Sequence, residues 1–368
     1  MRNGIVVVFF VILASSGFAW DDGGVIASGH FRTDVGILFA ISNSHLENYY
    51  YFGKNTLRVD VVNSDTAYGK IDGSVDLHIV SGRYYDIFFL QTNGILLGDN
   101  VLLLINLRKL YLAVSLDWVD ISIGRQLLRF GQGLVFSPIN FFDKLDISDI
   151  NFSRIGSDSI RLKAYLSDTS DANLIVVPRT QVTNSDFSAR LSFMLAGINM
   201  EGAIGYFGQN EEVRAGLSFK ADVEVGIYGE FAYNYHNQET NRYFEFVIGG
   251  DYSIFKKLVV RGEYYFNSLD VAKLPLQSAI SLRNYPFVSK QYAMLQLSYL
   301  PDITTTATLS IIKNLEKDGF ILYAGITKSM FQNVNFYFDT KFFYRDISGI
   351  FQTNYNFLHS SLGFEIKY

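Results

Sequence analysis

Residues 334 to 345 read Val-Asn-Phe-Tyr-Phe-Asp-Thr-Lys-Phe-Phe-Tyr-Arg, and their side chains alternate between apolar and polar along the segment. The apolar face takes Val334, Phe336, Phe338, Thr340, Phe342 and Tyr344, and the opposite face takes Asn335, Tyr337, Asp339, Lys341 and Arg345. A period of two residues is that of a β-strand, in which successive side chains point to opposite faces. The segment therefore predicts a strand with one apolar and one polar face.

The same alternation recurs along the chain, for example in the segments 31–39, 213–220 and 225–234. In a soluble sandwich the apolar faces would form the core, and the charged faces would meet water. In a membrane barrel the assignment is inverted, because the apolar faces meet lipid and the charged faces line the lumen. The spacing of the turns distinguishes these two architectures.

Links between the predicted strands are of two lengths. Short turns are expected near residues 117–118, 167–171, 196–197, 221–223, 255–256, 301–302 and 331–333, and longer links at 43–53, 82–106, 129–157, 267–289 and 346–355. Short periplasmic turns that alternate with longer external loops are typical of outer-membrane barrels. We predict a closed antiparallel transmembrane barrel of about 18 strands, with 16 as the alternative. The apolar stretch 94–107 is left open as a lid, an oligomer contact or a further strand.

Composition agrees with this class of protein. The 368 residues are 49% hydrophobic and 16% aromatic, and none is cysteine, which excludes a disordered chain and a disulfide scaffold. Lysine and arginine number 31 against 36 aspartates and glutamates, giving a formal net charge of −5. A weakly acidic chain lacks the electrostatic footprint of a nucleic-acid-binding protein.

The first 19 residues have the pattern of a secretory signal peptide. Arg2 precedes an apolar stretch at residues 5–13, and small residues lead to a predicted cleavage site after Ala19. The apolar stretch is much shorter than the roughly 20 residues that a membrane-spanning helix needs. We therefore expect an exported protein whose residues 20–368 form the barrel.

The chain ends on a predicted strand whose last residues include Gly363, Phe364, Ile366 and Tyr368. This segment resembles the C-terminal signal of bacterial outer-membrane barrels, in which alternating apolar residues lead to a terminal aromatic side chain. The resemblance implies recognition by the barrel-assembly machinery. The terminal strand must also pair with the first one, because an open sheet edge in lipid would leave its backbone groups unsatisfied.

A second resemblance lies in residues 107–166. The segment 124–133 reads Gly-Arg-Gln-Leu-Leu-Arg-Phe-Gly-Gln-Gly, and Ser137-Pro138-Ile139-Asn140 follows. It resembles porin-like barrels, including alginate-export types, that carry Gly-Arg-Gln at the end of a strand. Phe130 and Asn140 stand where the longer pattern of those barrels usually has Trp and Asp.

The segment that carries this motif closes the fifth predicted strand and opens the third external loop, which we expect to fold into the lumen, and the charged residues after the motif predict a constriction there. Because a guanidinium facing lipid is costly, about 2 to 4 kcal/mol at mid-bilayer, we expect a β-bulge near Gly124 that turns Arg125 inward. Charges of both signs across a narrowed lumen would screen solutes by size and dipole. The alternative is that these charges only pair with one another and hold an external loop. The candidate pore residues are Arg125, Arg129, Asp143, Lys144, Asp146, Asp149, Arg154, Arg161 and Lys163.

Catalytic and metal sites are not predicted. Residues 359–363 resemble the His-x-Ser core of outer-membrane phospholipases, but His359 and Ser361 should face the lumen rather than lipid. The spacing of Asp143, Asp146 and Asp149 lacks the alternate ligands and central Gly of a calcium loop. We expect no enzyme activity and no cofactor.

The sequence thus predicts a porin in the outer membrane that passes small hydrophilic solutes by passive diffusion, surrounded by lipid and lipopolysaccharide. The first alternative is an export or assembly barrel for a polysaccharide. A basic lumen would favour it, yet Glu201, Glu224, Glu230, Glu245 and Glu263 offset Arg190, Arg214 and Arg261. A plugged structural or adhesive barrel is the second alternative, and a homo-oligomer is left open.

Overall fold

The computed structural model describes residues 25–42, 45–63, 69–82, 95–98, 100–145, 154–209, 211–236, 242–269, 287, 289–345 and 355–368. The predicted signal peptide lies outside these residues and stays a prediction. Nearly all of the described chain is β-strand. No helix in these ranges is long and apolar enough to cross a membrane.

The described residues contain 21 β-strands. In chain order they are β1 (Val25–Ser42), β2 (His45–Asn63), β3 (Lys70–Gly82), β4 (Ile95–Gly98), β5 (Val101–Ser115), β6 (Val119–Gln126), β7 (Lys144–Leu145), β8 (Arg154–Ile155), β9 (Ser157–Ser167), β10 (Ser170–Val177), β11 (Asp186–Leu195), β12 (Ile198–Phe207), β13 (Glu212–Asp222), β14 (Gly226–His236), β15 (Arg242–Ile254), β16 (Leu258–Asn267), β17 (Gln291–Asp302), β18 (Thr305–Asn314), β19 (Phe320–Phe331), β20 (Val334–Tyr344) and β21 (Tyr355–Lys367). A single 3-10 turn, Val182–Asn184, lies between β10 and β11.

The sheet closes on itself. Its last strand, β21, pairs antiparallel with β1, from His30 opposite Lys367 to Ser42 opposite Tyr355. Strand β4 pairs only with β5, and β7 pairs only with β8, so 18 of the described strands form the ring. The predicted closed antiparallel barrel, with its count of 18 strands, is confirmed.

The two faces of the sheet are divided as the alternation predicts. On β1, Val35 is 67% exposed on the outer face, whereas the neighbouring Asp34 is 6% exposed and faces inward. On β21, Leu362 faces outward, and His359 and Ser361 are buried on the inner face. An apolar outer surface around a polar interior is the arrangement of an outer-membrane barrel, because the outer face of such a barrel contacts lipid rather than water.

Two predicted external links lie partly in strands. Residues 43–53 were expected to form a link, but β1 and β2 stay paired up to Ser42 and His45. The expected link 82–106 is also too long, because the apolar stretch 94–107 supplies β4 and the first half of β5. Leu102 and Leu104 are buried on the inner face, and Ile105 is exposed on the outer face. Apolar side chains on both faces hide the alternation that marks the other strands.

Candidate functional site

The segment between β6 and β7, residues 127–143, leaves the barrel wall and folds into the lumen. Near its tip, Phe136 stacks on Tyr265 of β16 with ring centroids 5.1 Å apart and lies 5.2 Å from the ring of Phe287. All three rings are fully buried. Tyr265 faces inward, so the loop crosses the interior to reach it, as we expected for the third external loop.

The base of this lumen loop is held by a second apolar cluster. Phe141 packs edge-to-face on Phe130 and on Phe207 of β12, with centroids 6.3 and 5.7 Å apart. Ile139 and Ile175 of β10 are buried in the same cluster. The loop therefore rests on the wall mainly through aromatic and aliphatic side chains, whose burial provides the packing energy.

Glu230, on β14, binds the middle of the loop. Its carboxylate accepts hydrogen bonds from the backbone N–H groups of Gln132 at 2.6 Å and Gly133 at 2.7 Å, and from the Ser137 hydroxyl at 2.8 Å. The N–H of Ile139 lies 3.4 Å from the same carboxylate. One buried side chain thus satisfies several donors of a loop that has no strand partner.

Two further glutamates extend this arrangement on each side. Glu201 of β12 accepts from the N–H of Gly131 at 2.9 Å. Glu263 of β16 accepts from the N–H groups of Val135 at 3.0 Å and Phe136 at 3.2 Å, and also from that of Leu134. The three glutamates lie on alternate strands, and together with the loop amides we call them the carboxylate anchor.

The carboxylate anchor solves a problem of buried polar groups. A loop inside a barrel cannot leave its N–H groups unpaired without a large desolvation penalty. A carboxylate offers several acceptor sites, and its hydrogen bonds are stronger than those of neutral acceptors. The sequence interpretation treated these glutamates as lumen charges that offset arginines, and Glu201 does pair with Arg190 at 2.8 Å. What the interpretation did not include is that all three glutamates also bind the loop backbone.

Two glycines allow the backbone to come this close. Gly131 has a φ of +78°, a left-handed conformation that favours glycine, and a Cβ there would overlap the Glu230 carboxylate. A Cβ on Gly133 would overlap the carbonyl of Phe136. The Gly-Gln-Gly sequence at 131–133 was therefore the signal that could have located the anchored turn.

The inward turn expected for Arg125 does not occur. The pairing of β6 with β5 and β9 continues through Gly124 without a shift, so Arg125 shares the outer face with Ile123. Its guanidinium binds Asp158 of β9 in a bidentate pair, at 2.8 and 2.6 Å, and donates to the carbonyl of Leu107 at 3.1 Å. This ion pair gives the outward-facing guanidinium a counter-charge at the end of the strand.

The other candidate pore residues divide into three groups. Arg129 is exposed and its Nη2 lies 3.5 Å from the carbonyl of Gly133, whereas Asp143 is fully buried and accepts from the N–H of Leu128 at 2.9 Å. The structure describes only the backbones of Lys144 and Arg154, which lie in β7 and β8. Asp146 and Asp149 lie outside the described residues. The role of Lys144, Asp146, Asp149 and Arg154 in a constriction stays a prediction.

Arg161 and Lys163 of β9 face the lumen. Arg161 donates from Nε to the side-chain carbonyl of Asn173 at 2.7 Å, and the Lys163 ammonium lies 4.3 Å from the centroid of the Tyr165 ring. Among the residues that the structure describes, neither has a carboxylate within 4.0 Å. They are therefore inward-facing cations without a direct ion pair among the described residues, although Asp120 lies opposite Lys163 and accepts a hydrogen bond from the Tyr165 hydroxyl.

Inward-facing charges form ion pairs on another part of the wall, which consists of β20, β21 and β1 to β5. Asp76 binds Arg58 in a bidentate pair at 2.7 and 2.9 Å and lies 3.7 Å from Arg108. A shift in the pairing of β5 with β3 places both Arg108 and Lys109 on the inner face, and Lys109 binds Asp72 at 2.6 Å. A single added residue in β5 thus gives the lumen an extra cation, which alternation in the sequence could not reveal.

Solved structures share this closed barrel fold. OccK5 (OpdH) from Pseudomonas aeruginosa superposes with a TM-score of 0.60 at 7% identity, over 93% of this chain and 98% of that one. A BenF-like porin from Pseudomonas fluorescens Pf-5 gives 0.59 at 7% identity, over 94% and 99%. OpdK from Pseudomonas aeruginosa, in a structure with vanillate, gives 0.57 at 7% identity, over 93% and 98%.

These similarities concern the fold, which is that of outer-membrane porins. The resemblance of this chain to a porin-like barrel therefore holds at the level of fold, whereas the alginate-export type stays a prediction. No protein-family model matches the sequence, and no curated protein matches it.

Proposed function

We propose that this protein is a selective outer-membrane porin for small hydrophilic solutes, and that its solutes include small organic anions. The observation that carries the proposal is the lumen loop, which the carboxylate anchor holds inside the barrel. A loop fixed in this way narrows the lumen without closing it by a separate plug domain. Transport through such a lumen is passive, because selection needs only steric and electrostatic contacts.

The preference for anions follows from the distribution of charge. The three glutamates of the carboxylate anchor direct their oxygens at loop amides, and the acids on β1 to β5 bind arginine or lysine side chains. Arg161 and Lys163 form no direct ion pair among the described residues and lie on the inner face, where they can attract a passing carboxylate or phosphate group. Vanillate, found with OpdK, is a small aromatic carboxylate and has the chemistry that such a pair of cations would recognise.

Conductance in a planar bilayer under a KCl gradient tests this proposal. The wild-type protein should give stable channels whose reversal potential has the sign of an anion preference. Replacing both cations, as Arg161→Gln with Lys163→Gln, should move the reversal potential toward that of a cation-selective channel, because two inward-facing positive charges are lost. Vanillate and related carboxylates should reduce the wild-type current in proportion to their occupancy.

A matched control is Arg345→Gln, which removes an exposed cation beyond β20 that pairs with Asp318 at 2.8 Å. This variant should leave the reversal potential unchanged. A folded wild-type barrel that gives no channels would contradict the porin and favour a plugged structural barrel. If the double variant gave channels with an unaltered reversal potential, the protein would still be a porin, but Arg161 and Lys163 would have no role in its selectivity.

A further inference from the structure

A groove opens on the outer face of the barrel between β16 and β20, with a volume of about 320 Å³. Its lining includes Ala307 and Ala324, which lie on adjacent strands, and Gly325 beside them. Larger side chains, among them Tyr299 and Phe338, border these small residues. The groove is therefore a furrow in a surface that is otherwise made of large apolar side chains.

The position of the groove along the barrel is fixed by strand pairing. Tyr299 lies opposite Ala307, Ala307 opposite Ile326, and Ile326 opposite Phe338, which makes one row across four strands. Tyr299 also lies opposite Leu258, the first residue of β16 after a short turn. The groove thus begins close to the short-turn end of the barrel, which faces the periplasm in outer-membrane barrels.

Lysines lie at this end of the groove. The Lys257 ammonium, in the turn before β16, donates to the carbonyl of Pro301 at 3.2 Å. The Lys328 ammonium, two residues beyond Ile326 on β19, lies 3.2 Å from the Thr305 hydroxyl and 3.9 Å from Asp302. Asp302 offsets part of this charge, while Lys256 and Lys257 have no described carboxylate partner within 4.0 Å.

The turns beside these lysines expose large apolar side chains. Phe255 is 92% exposed, Ile303 is fully exposed, and Phe331 is 69% exposed, each at the tip of a neighbouring turn. Apolar and aromatic residues next to lysine are typical of segments that lie at the boundary between headgroups and acyl chains. This end of the barrel therefore fits a lipid surface rather than open water.

We propose that the groove binds one anionic glycerophospholipid of the periplasmic leaflet. An acyl chain would lie over Ala307 and Ala324, and the phosphate would lie between Lys257 and Lys328. The charge of the lysines and the apolar lining complement the two ends of such a molecule. Lipopolysaccharide occupies the opposite leaflet, at the long-loop end, and does not reach this groove.

Mass spectrometry of the intact protein released from mixed bilayers tests the proposal. The bilayers contain phosphatidylglycerol and phosphatidylethanolamine in equal amounts, and the retained lipids are counted. We expect one retained lipid per barrel with a preference for phosphatidylglycerol of about fivefold or more. The variant Ala307→Leu with Ala324→Leu should lose the retained lipid, and Lys257→Gln with Lys328→Gln should keep a lipid but lose the preference.

Ala189→Leu, on the outer face of β11 outside the groove, is the matched control and should behave as the wild type. Slower migration after heating in detergent gels verifies that each variant forms a closed barrel. If the variant Ala307→Leu with Ala324→Leu retained as much lipid as the wild type, the proposal would be overturned. The retained lipid would then be non-selective lipid around the barrel. If the wild type gave the mass of two chains, and Ala307→Leu with Ala324→Leu abolished that mass, the proposal would be overturned. The groove would then bind a second copy of this chain.

Discussion

The two halves of the barrel wall use inward-facing acids for different purposes. From β12 to β16, Glu201, Glu230 and Glu263 accept hydrogen bonds from the backbone of the lumen loop, although Glu201 also pairs with Arg190. From β20 through β5, acids such as Asp76 and Asp339 bind arginine side chains that lie on the same wall. The number of acidic residues in the two halves says little about the field in the lumen, because their partners differ.

The first half is dominated by the loop that it holds. Phe136, Tyr265 and Tyr292 form an apolar contact beyond the carboxylate anchor, with Phe136 and Tyr292 centroids 5.9 Å apart. Carboxylates fix the backbone and aromatic rings fix the tip, so two unlike interactions hold one segment. In the second half no described loop covers the paired charges, and these remain part of the lumen lining.

The largest expected effect comes from breaking the anchored half. Replacing Glu230 and Glu263 by alanine removes the acceptors of five or more loop donors, and each buried unpaired group costs about 1 to 3 kcal/mol. The loop should detach from the wall, and single-channel conductance should rise by roughly twofold or more. Bilayer recordings of the variant and the wild type measure this directly.

Glu224→Ala is the control for this experiment, because Glu224 lies exposed in the short turn before β14. It should leave conductance unchanged. Equal conductance of the Glu230 and Glu263 double variant and the wild type would show that the aromatic tip alone fixes the loop.

A smaller effect should follow from disturbing the paired half. Asp76→Asn removes the negative charge that Arg58 and Arg108 share, at 2.7 and 3.7 Å. Two cations are then left without their counter-charge, so the reversal potential should move by a few millivolts in the direction of anion selectivity. The conductance should change little, because no loop depends on Asp76. An unchanged reversal potential would mean that these arginines do not reach the permeation path.

The sequence predicted the barrel because its period-two signal is carried by residues such as Val35 and Leu362, which meet only lipid. It predicted the position of the loop for the same reason, since alternation stops after Gln126. The carboxylate anchor was missed, because a glutamate that binds backbone amides has the same place in the alternation as one that faces water. The orientation of Arg125 was missed because the pairing with Asp158 depends on neighbours 33 residues apart.

The comparison also explains why Arg161 and Lys163 are the stronger candidates among the predicted pore residues. They lie on β9, at the junction between the two halves, where Arg161 meets the neutral Asn173 instead of an acid. Residues of the loop itself, such as Asp143, are buried in its packing. A charge that has no direct ion pair acts more strongly on a passing ion than a paired one, and that difference depends on the three-dimensional pairing.

The smallest effect is expected outside the lumen. Arg125→Gln breaks the pair with Asp158, whose side chain is 63% exposed on the outer face. Exposed pairs contribute at most about 1 kcal/mol, so the unfolding transition in detergent should change only slightly. Reversal potential and conductance should match the wild type, in contrast to the Arg161 and Lys163 double variant. A clear shift toward cations in Arg125→Gln would place its guanidinium within reach of the lumen and would contradict the continuous strand pairing through Gly124.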